Sequence, residues 1–413
     1  MSGCARAAGP QQTDESRSAD CAAALRDAEP AAARLRQAQL QLTAAAPARA
    51  YVTAGEAWIR VARTKSAPSF HRNALECANQ ALTRAPGDAG ALRLQALVWL
   101  DAHRFQAARA LAQQLLAQDE SDPQVWGILS DAELEQGHIE AASSAAQRML
   151  DLKPGLLSYG RAAHIRWLTG DSTGAKQLYR LAIAAGQQQP DPEPRAWLTV
   201  QAAWVFWHEG DYVGAQRGFE LALAALTDYA PALEGLGRVA LSQGDDRAAV
   251  SWLARAQAQH PLTETAWWLG DAYTRLGDQA RARTMYREVE RLGALGDERT
   301  LSLFYSLRDT NTERARVLAQ HAHDERADVY SKDALAFALY RSGKRAEAAR
   351  LAREVIALGI PDARLWQRAG TILRVVDDPD GERLLARARA VHPRITILTP
   401  AATEGHDVTA LAR

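Results

Sequence analysis

Few side chains in this sequence have both the type and the spacing that catalysis requires. His164, His208 and Asp271 are the only residues that we could name as candidates for an acid and a base acting together in one groove. The sequence contains no GxxxxGKS/T, HExxH or GxSxG string. It therefore has none of the common motifs for phosphate binding by a P-loop, zinc-dependent hydrolysis or a serine nucleophile. We therefore predict no catalytic residue, no enzyme activity and no cofactor.

Metal binding and disulfide formation find equally little support. The three cysteines, Cys4, Cys21 and Cys77, show no CxxC or Cys/His spacing, and they are few for a chain of 413 residues. His321 and His323 are two residues apart, so on a helix they point to different faces. We predict that the protein has no metal site and that disulfides do not stabilise it.

A ladder of glycines sets the architecture. Six glycines recur about 33 or 34 residues apart, at nearly twice that interval, or, from Gly170 to Gly210, 40 residues apart, which is the sequence signature of a repeat protein. Each has an alanine five residues later and a small residue seven residues earlier. The glycines are Gly137, Gly170, Gly210, Gly244, Gly277 and Gly343. Because the intervening segments are rich in alanine and leucine at helical spacing, each period predicts one antiparallel helix hairpin.

Residues 267–292 show the repeat unit most clearly. Leu269, Ala272 and Tyr273 recur at helical spacing and predict the buried face of a first helix. Gly277 can adopt positive φ and end that helix, and Asp278 can accept hydrogen bonds from the free N–H groups of the next one. Gly-Asp is therefore predicted to form the turn of the hairpin.

The same pattern predicts the division of the chain. Residues 1–29 are polar and small and are expected to form a flexible leader, and residues 395–413 a flexible tail. A solenoid is predicted over residues 30–394, with an initial helix over 30–46 that stops before Pro47. Residues 187–195 predict an extended loop between hairpins, and residues 295–325 a degenerate hairpin that turns near Thr310.

The net charge and the amino-terminal sequence indicate where in the cell the protein works and what it binds. Lys and Arg number 49 and Asp and Glu number 49, so no net charge attracts nucleic acid or an anionic membrane. The opening MSGCARA resembles the end of a bacterial lipoprotein signal, with Cys4 as the residue for lipidation. If an apolar segment precedes Met1, we expect a periplasm-facing lipoprotein, and otherwise a cytoplasmic protein. A membrane contact is expected only through this anchor.

The repeat resembles a known family. The order WLG, Tyr, GD, Ala and Tyr over residues 268–286 is similar to the tetratricopeptide repeat signature, whose period is about 34 residues. The segments DALAFALYRSGKRAEA and PDARLWQRAG further resemble uncharacterised bacterial tetratricopeptide-repeat proteins. The resemblance extends over roughly residues 50–394 and implies an all-α, right-handed superhelical solenoid of about ten hairpins.

The resemblance also implies a binding surface. In this family the first helix of each hairpin lines a concave groove that holds an extended peptide or a helix. The matching positions that we select as the partner-binding groove are Trp167, Trp204, Trp207, His208, Arg238, Trp267, Asp271 and Arg275. Tryptophan beside arginine is the composition of interface hot spots, although tryptophans at helical spacing also serve as packing between helices, and both interpretations stay open.

A wider set of first-helix positions could face the same groove. These are Arg93, Leu97, Asp131, Glu135, His164, Val200, Phe337 and Tyr340. The Lys and Asn positions with which some family members clamp a carboxylate are not matched. The leading hypothesis is a non-enzymatic scaffold that binds a protein or peptide. The alternatives are a cytoplasmic regulatory or RNA-processing helical-repeat protein, a structural subunit of an envelope assembly, and an enzyme using His164, His208 and Asp271.

Overall fold

The protein is helical throughout the part of the chain that the structure describes. The computed structural model describes residues 19–25, 30–65 and 69–394, and the regular elements in these ranges are 21 α-helices. The prediction of an all-α fold built from hairpins is confirmed. Cys4, most of the predicted leader and the predicted tail lie outside the described residues. The chain divides into two compact units, unit 1 over residues 1–118 and unit 2 over residues 119–413.

Unit 1 contains a single helix followed by two antiparallel hairpins. Its helices are α1 (Pro30–Gln39), α2 (Ala48–Lys65), α3 (Ser69–Arg84), α4 (Ala89–Asp101) and α5 (Phe105–Leu116). The first helix is shorter than the predicted span of 30–46, because turn hydrogen bonds such as Leu42 N–H to Gln39 C=O replace the helical ladder. His103, at φ +57°, occupies the turn position that glycine holds in most later hairpins.

The prediction that disulfides do not stabilise the fold is wrong for unit 1. Cys21 and Cys77 form a disulfide, with their Cα atoms 4.8 Å apart. The indole Nε1 of Trp58 donates to the Cys21 carbonyl at 2.9 Å, and the Gln39 amide donates to the same carbonyl and to that of Ala23. Residues 19–25, assigned to the leader, therefore pack on the core of unit 1. The partner cysteines are 56 residues apart, so only the tertiary fold brings them together.

We predict that removing this disulfide loosens unit 1. A cross-link that closes a loop of this length stabilises a fold by up to about 4 kcal/mol, chiefly by restricting the unfolded chain. Changing Cys21 and Cys77 together to Ser is expected to lower the hydrogen-exchange protection of α2 and α3 in the full chain. Cys4→Ser is the matched control and leaves that protection unchanged. Equal protection in the double variant and the parent would contradict the prediction.

Unit 2 consists of eight antiparallel hairpins, each with a first and a second helix. The first four are α6 (Pro123–Glu135) with α7 (Ile139–Leu152), α8 (Leu156–Leu168) with α9 (Ser172–Ala185), α10 (Glu193–His208) with α11 (Tyr212–Ala225), and α12 (Ala230–Gln243) with α13 (Asp246–Gln259). The last four are α14 (Thr263–Arg275) with α15 (Gln279–Ala294), α16 (Glu298–Leu307) with α17 (Thr312–Glu325), α18 (Val329–Arg341) with α19 (Arg345–Ala357), and α20 (Ala363–Arg374) with α21 (Asp380–Val391).

The turns within the hairpins follow the glycine ladder. All six ladder glycines have φ between +78° and +86°, a conformation that side chains with a Cβ disfavour. An aspartate follows four of these glycines, Gly170, Gly210, Gly244 and Gly277, and caps the second helix, as when Asp278 accepts from the N–H of Arg281 at 3.0 Å. The predicted degenerate hairpin forms as α16 and α17, with Asp309 at φ +55° where glycine is missing.

The two helices of a hairpin are buried to different extents. In α12 ten of 14 residues are buried, and in α14 ten of 13, so these first helices are enclosed on nearly every side. In the second helix α13 only Ala249, Leu253 and Ala256 are buried, which is one stripe of an amphipathic helix. The first helices therefore form the interior of unit 2, and the second helices its outer layer.

Unit 2 coils back on itself. Three turn glycines of the early hairpins lie against backbone carbonyls at or just after the end of a second helix five hairpins later. The pairs are Gly137 with Ala327, Gly170 with Gly359 and Gly210 with Val391. A Cβ at Gly210 would be 2.6 Å from the Val391 carbonyl oxygen, which is closer than real Cβ contacts allow. The repeat interval of five hairpins shows one coil of the solenoid resting on the next.

A matched pair of glycine substitutions separates turn strain from coil contact. Gly210 and Gly277 both have φ of +80°, but no other described heavy atom lies within 4 Å of a Cβ built at Gly277. Gly277→Ala is expected to cost about 1–2 kcal/mol of unfolding free energy from backbone strain alone. Gly210→Ala is expected to cost more, because its methyl also displaces the following coil. Chemical denaturation measures both, and equal costs would contradict a tight coil contact.

Candidate binding site

The inner surface of unit 2 contains two neighbouring cavities. Cavity A has a volume of about 280 Å³ and is lined by α8, α9, α10, α12, α14, α18 and α20. Cavity B has a volume of about 180 Å³ and is lined by α14, α16, α18 and α20. Glu264, Tyr330 and Arg364 line both cavities. First helices thus supply nearly all of this surface, as expected for a concave face.

Aromatic rings form much of the wall of cavity A. The rings of Trp167 and His208 are 4.8 Å apart, and His164 lies 6.2 Å from Trp167 on the same helix. Trp204 contacts Phe219 edge to face at 4.9 Å and is only partly buried, so part of its indole faces the cavity. These contacts fix the rings in place, which lowers the entropy lost when a ligand packs against them.

The charged groups of cavity A are paired with one another. Arg238 is 2.8 Å from Glu234 and 2.7 Å from Glu264, and its guanidinium lies over the rings of Trp204 and Trp268 at 5.2 and 5.0 Å. Burial alone would raise the pKa of Glu264, but the guanidiniums of Arg238 and Arg364 outweigh burial and lower that pKa to about 2. Glu264 is therefore a carboxylate shared by two arginines.

His208 is a neutral histidine in this interior. Burial lowers its pKa to about 3, although Asp362, whose Oδ1 lies 3.7 Å from Nδ1, acts in the opposite direction. Arg364, His392 and Arg238 lower the pKa of His208 further by repulsion between like charges. The ring therefore stays uncharged at neutral pH, and Asp362 is instead neutralised by Arg364 at 3.0 Å.

Five of the eight residues selected for the partner-binding groove line the two cavities. Trp167, Trp204, His208 and Arg238 line cavity A, and Trp267 lines cavity B. From the wider set, His164 and Val200 also line cavity A. Most of the positions that we selected from the helical register therefore lie at the inner surface of unit 2.

The other three selected residues have structural partners away from both cavities. Trp207 is fully buried, and its Nε1 donates to the Ser242 hydroxyl at 3.0 Å. Asp271 accepts from the Tyr286 hydroxyl at 2.8 Å, and burial raises the pKa of Asp271 to about 6. Arg275 donates to Asp246 at 2.8 Å.

Among the wider set, Phe337 packs in the core of unit 2, and Glu135 pairs with Arg326. Asp131 pairs with Arg161 at 2.7 Å, and Arg93 and Leu97 belong to unit 1.

Sequence reasoning missed the residues that complete cavity A. Tyr330 and Arg364 belong to α18 and α20, four and five hairpins after α10, and only the return of the coil brings them to this cavity. Glu234 and Glu264 had a local signal, because each lies one helical turn before a selected residue, Arg238 or Trp267. That spacing could have identified them as partners of the groove.

The structure does not bring all three residues proposed for catalysis to one cavity. His164 and His208 line cavity A, whereas Asp271 lines neither cavity. Within the described ranges, no cluster of three or more His, Cys, Asp or Glu side chains is arranged to hold a metal ion. In the same ranges, none of the helices combines the length and the apolar character needed to cross a lipid bilayer.

Comparison with known proteins agrees with this architecture. Residues 263–292, which form the hairpin of α14 and α15, match the tetratricopeptide repeat family. One hairpin therefore matches a tetratricopeptide repeat, and it stands within a solenoid of two-helix hairpins. No curated protein matches the sequence at a significant level.

Three solved structures are similar to the chain. A monomeric IFIT1 mutant with m7Gppp-AAAA is 11% identical, with 87% of this chain and 85% of that chain covered and a TM-score of 0.50. A tetratricopeptide repeat protein from Parabacteroides merdae is 13% identical, with 65% and 98% covered and a TM-score of 0.43. PilW, a type IV pilus biogenesis factor, is 16% identical, with 51% and 94% covered and a TM-score of 0.41.

The buried histidines predict a loss of stability in mild acid. His208 and His392, whose pKa burial lowers to about 3 and about 4, stay neutral in the fold but protonate when the chain unfolds below pH about 6.5. The unfolded state therefore binds more protons, and stability falls as pH decreases through this window. Between pH 6.5 and 5 each histidine contributes up to about 2 kcal/mol of this loss.

Chemical denaturation of His208→Gln at pH 7, 6 and 5 checks the prediction. The variant is expected to lose less stability between pH 7 and 5 than the parent does. Asp271 acts in the opposite direction, because its raised pKa makes the folded state bind protons between pH about 4 and 6. A slope in His208→Gln as steep as in the parent would show that the buried ring does not carry the effect.

Proposed function

We propose that this protein is a non-enzymatic scaffold that receives a segment of a protein partner at cavity A of unit 2. Tetratricopeptide-repeat solenoids generally serve as protein-interaction scaffolds, and cavity A lies on the first helices, the concave side of such a solenoid. The observation that carries the proposal is the partly exposed Trp204 beside Arg238 in a preformed cavity. Tryptophan and arginine in a partly enclosed site are the side chains that dominate the energy of protein interfaces.

The coil contact shapes the proposed mode of binding. Because Tyr330 and Arg364 of later hairpins border cavity A, the inner surface offers a compact site in place of a long open trough. We propose that a partner inserts one or two side chains here while the rest of its segment rests on neighbouring first helices. Such a site needs little rearrangement of the solenoid on binding.

The charges at cavity A favour a protein segment over RNA. Arg238 and Arg364 are already neutralised by carboxylates at 2.7 to 3.3 Å, so they offer no surplus positive charge to a phosphate backbone. The resemblance in fold to a structure that contains m7Gppp-AAAA does not alter this balance, since it extends to the fold alone.

The disulfide of unit 1 supports a location outside a reducing cytoplasm. Disulfides such as Cys21–Cys77 persist in oxidising compartments, including the bacterial periplasm. We propose that the protein works in such a compartment, which agrees with the lipoprotein-like sequence around Cys4. Lipidation of Cys4 remains a prediction, and mass spectrometry of the protein from its own cell tests it.

Site-specific photo-cross-linking tests the proposed surface. A benzoylphenylalanine residue at Gln201, which lines cavity A, is expected to give a defined protein adduct in the producing organism. The same residue at Val213, an exposed position of α11 that lines neither cavity, is expected to give none. Trp204→Ala in the Gln201 background is expected to reduce the adduct by tenfold or more, since hot-spot truncations cost about 2 kcal/mol or more.

Trp252→Ala is the matched control for that experiment. Trp252 belongs to the second helix α13 and lines neither cavity, so its removal is expected to leave the adduct unchanged. Equal adducts from the Gln201 and Val213 positions, or full retention of the adduct in Trp204→Ala, would count against cavity A as the partner site.

A further inference from the structure

We infer that cavity A binds a compact, uncharged group that has an apolar body and a hydrogen-bond acceptor. The group is either a free small molecule or an uncharged side chain of a partner. The inference goes beyond the proposed scaffold role, because it concerns the chemistry of the cavity and is testable without any partner protein. It rests on unpartnered donors, on the charge balance of the walls and on the size of the cavity.

Two buried donors at cavity A have no acceptor among the described residues. The indole Nε1 of Trp167 and the Nε of Arg238 are inaccessible to solvent, and neither makes a hydrogen bond. Both side chains are more than nine-tenths buried, at 6% and 4% exposure, and both line the cavity. A buried donor without an acceptor is costly, so an occupant whose acceptor reaches either donor, after a small shift of the side chains that cover it, is expected to relieve that cost.

The walls of cavity A carry no net charge. Arg238 and Arg364 contribute two positive charges, and Glu234 and Glu264 contribute two negative charges. Each arginine is already within 2.7 to 3.3 Å of a carboxylate. A charged ligand would lose its hydration without gaining a free counter-charge, so this balance selects an uncharged one.

The size and surface of the cavity define the rest of the ligand. A volume of about 280 Å³ lies near the lower end of the range of about 300–1,000 Å³ for ligand sites, which suits a group about the size of one large side chain. Tyr179, Val200 and Trp204 supply an aromatic and aliphatic surface for the body of that group. Ordered water is the competing occupant of the cavity.

Three probes of similar size test the inference on the full chain at pH 7. Phenylacetamide is uncharged and carries a carbonyl acceptor, phenylacetate is an anion, and phenethylamine is a cation. Saturation-transfer NMR and calorimetry are expected to show saturable binding of phenylacetamide, with both ions binding about tenfold more weakly or worse. Equal or tighter binding of either ion would overturn the charge argument, and no binding of any probe would leave a water-filled cavity and overturn the site.

A conservative variant locates the binding. Trp167→Phe keeps the ring but removes the indole donor, so it is expected to weaken phenylacetamide binding by about 2- to 10-fold. Trp252→Phe is the same change away from both cavities and is expected to leave affinity unchanged. Gln201→Trp, which adds bulk to a partly exposed lining residue, is expected to abolish binding and provides a second variant if Trp167→Phe does not fold. Unchanged affinity in both cavity variants would overturn the assignment.

A peptide arm distinguishes the two sources of the group. The uncharged pentapeptide acetyl-Gly-Gly-Phe-Gly-Gly-amide presents an aromatic side chain with flanking carbonyls. Displacement of phenylacetamide by this peptide supports a partner side chain as the occupant, and binding of phenylacetamide alone supports a free small molecule. Either result is independent of the cross-linking experiment, so failure of the scaffold proposal and failure of this inference are distinguishable.

Discussion

The structure of unit 2 depends on backbones that approach each other closely at glycine turns. The turn of one hairpin must reverse the chain at positive φ and must also leave room for a carbonyl of the following coil. Gly137, Gly170 and Gly210 meet both requirements, whereas Gly277 meets only the first. Because the contact recurs in three successive hairpins, each time with the chain five hairpins later, it limits how closely one coil can approach the next. The meeting of early and late first helices at the inner surface follows from this close approach.

One consequence is the burial of charge. When the coil returns, α18 and α20 bring Tyr330, Asp362 and Arg364 beside His208 and Glu264 of earlier helices. Buried charges are costly unless each is paired, and here arginines and carboxylates alternate at 2.7 to 3.3 Å. The interior therefore contains many charged residues, but the positive charges of the arginines are offset by the negative charges of the carboxylates. This balance explains how a concave face can carry many ionisable groups without attracting ions.

A second consequence concerns function. A wide solenoid would present a long trough, but the returning coil divides the inner surface of unit 2 into two cavities that share Glu264, Tyr330 and Arg364. Recognition in such a site depends on the shape and hydrogen-bonding pattern of a small group more than on the length of a peptide. The proposals of a scaffold and of a neutral ligand meet at this point, since both use the preformed aromatic wall of cavity A.

The sequence by itself determined the local structure, because turn glycines, capping aspartates and helical spacing act over a few residues. Gly277 and Asp278 form the predicted turn, and even the eroded hairpin near Thr310 folds as predicted, with Asp309 in the glycine's place. It also pointed to Trp204 and Arg238 as inner-surface residues, because the register of a first helix fixes its faces. What only the tertiary structure decided involves residues far apart in the chain: the Cys21–Cys77 disulfide, the contact of Arg364 with Glu264, and the burial of Trp207 in the core. A periodic sequence pattern predicts which face of each helix is buried. Which residues pack against that face depends on the winding of the coil, because the winding arises from small packing angles summed over many hairpins.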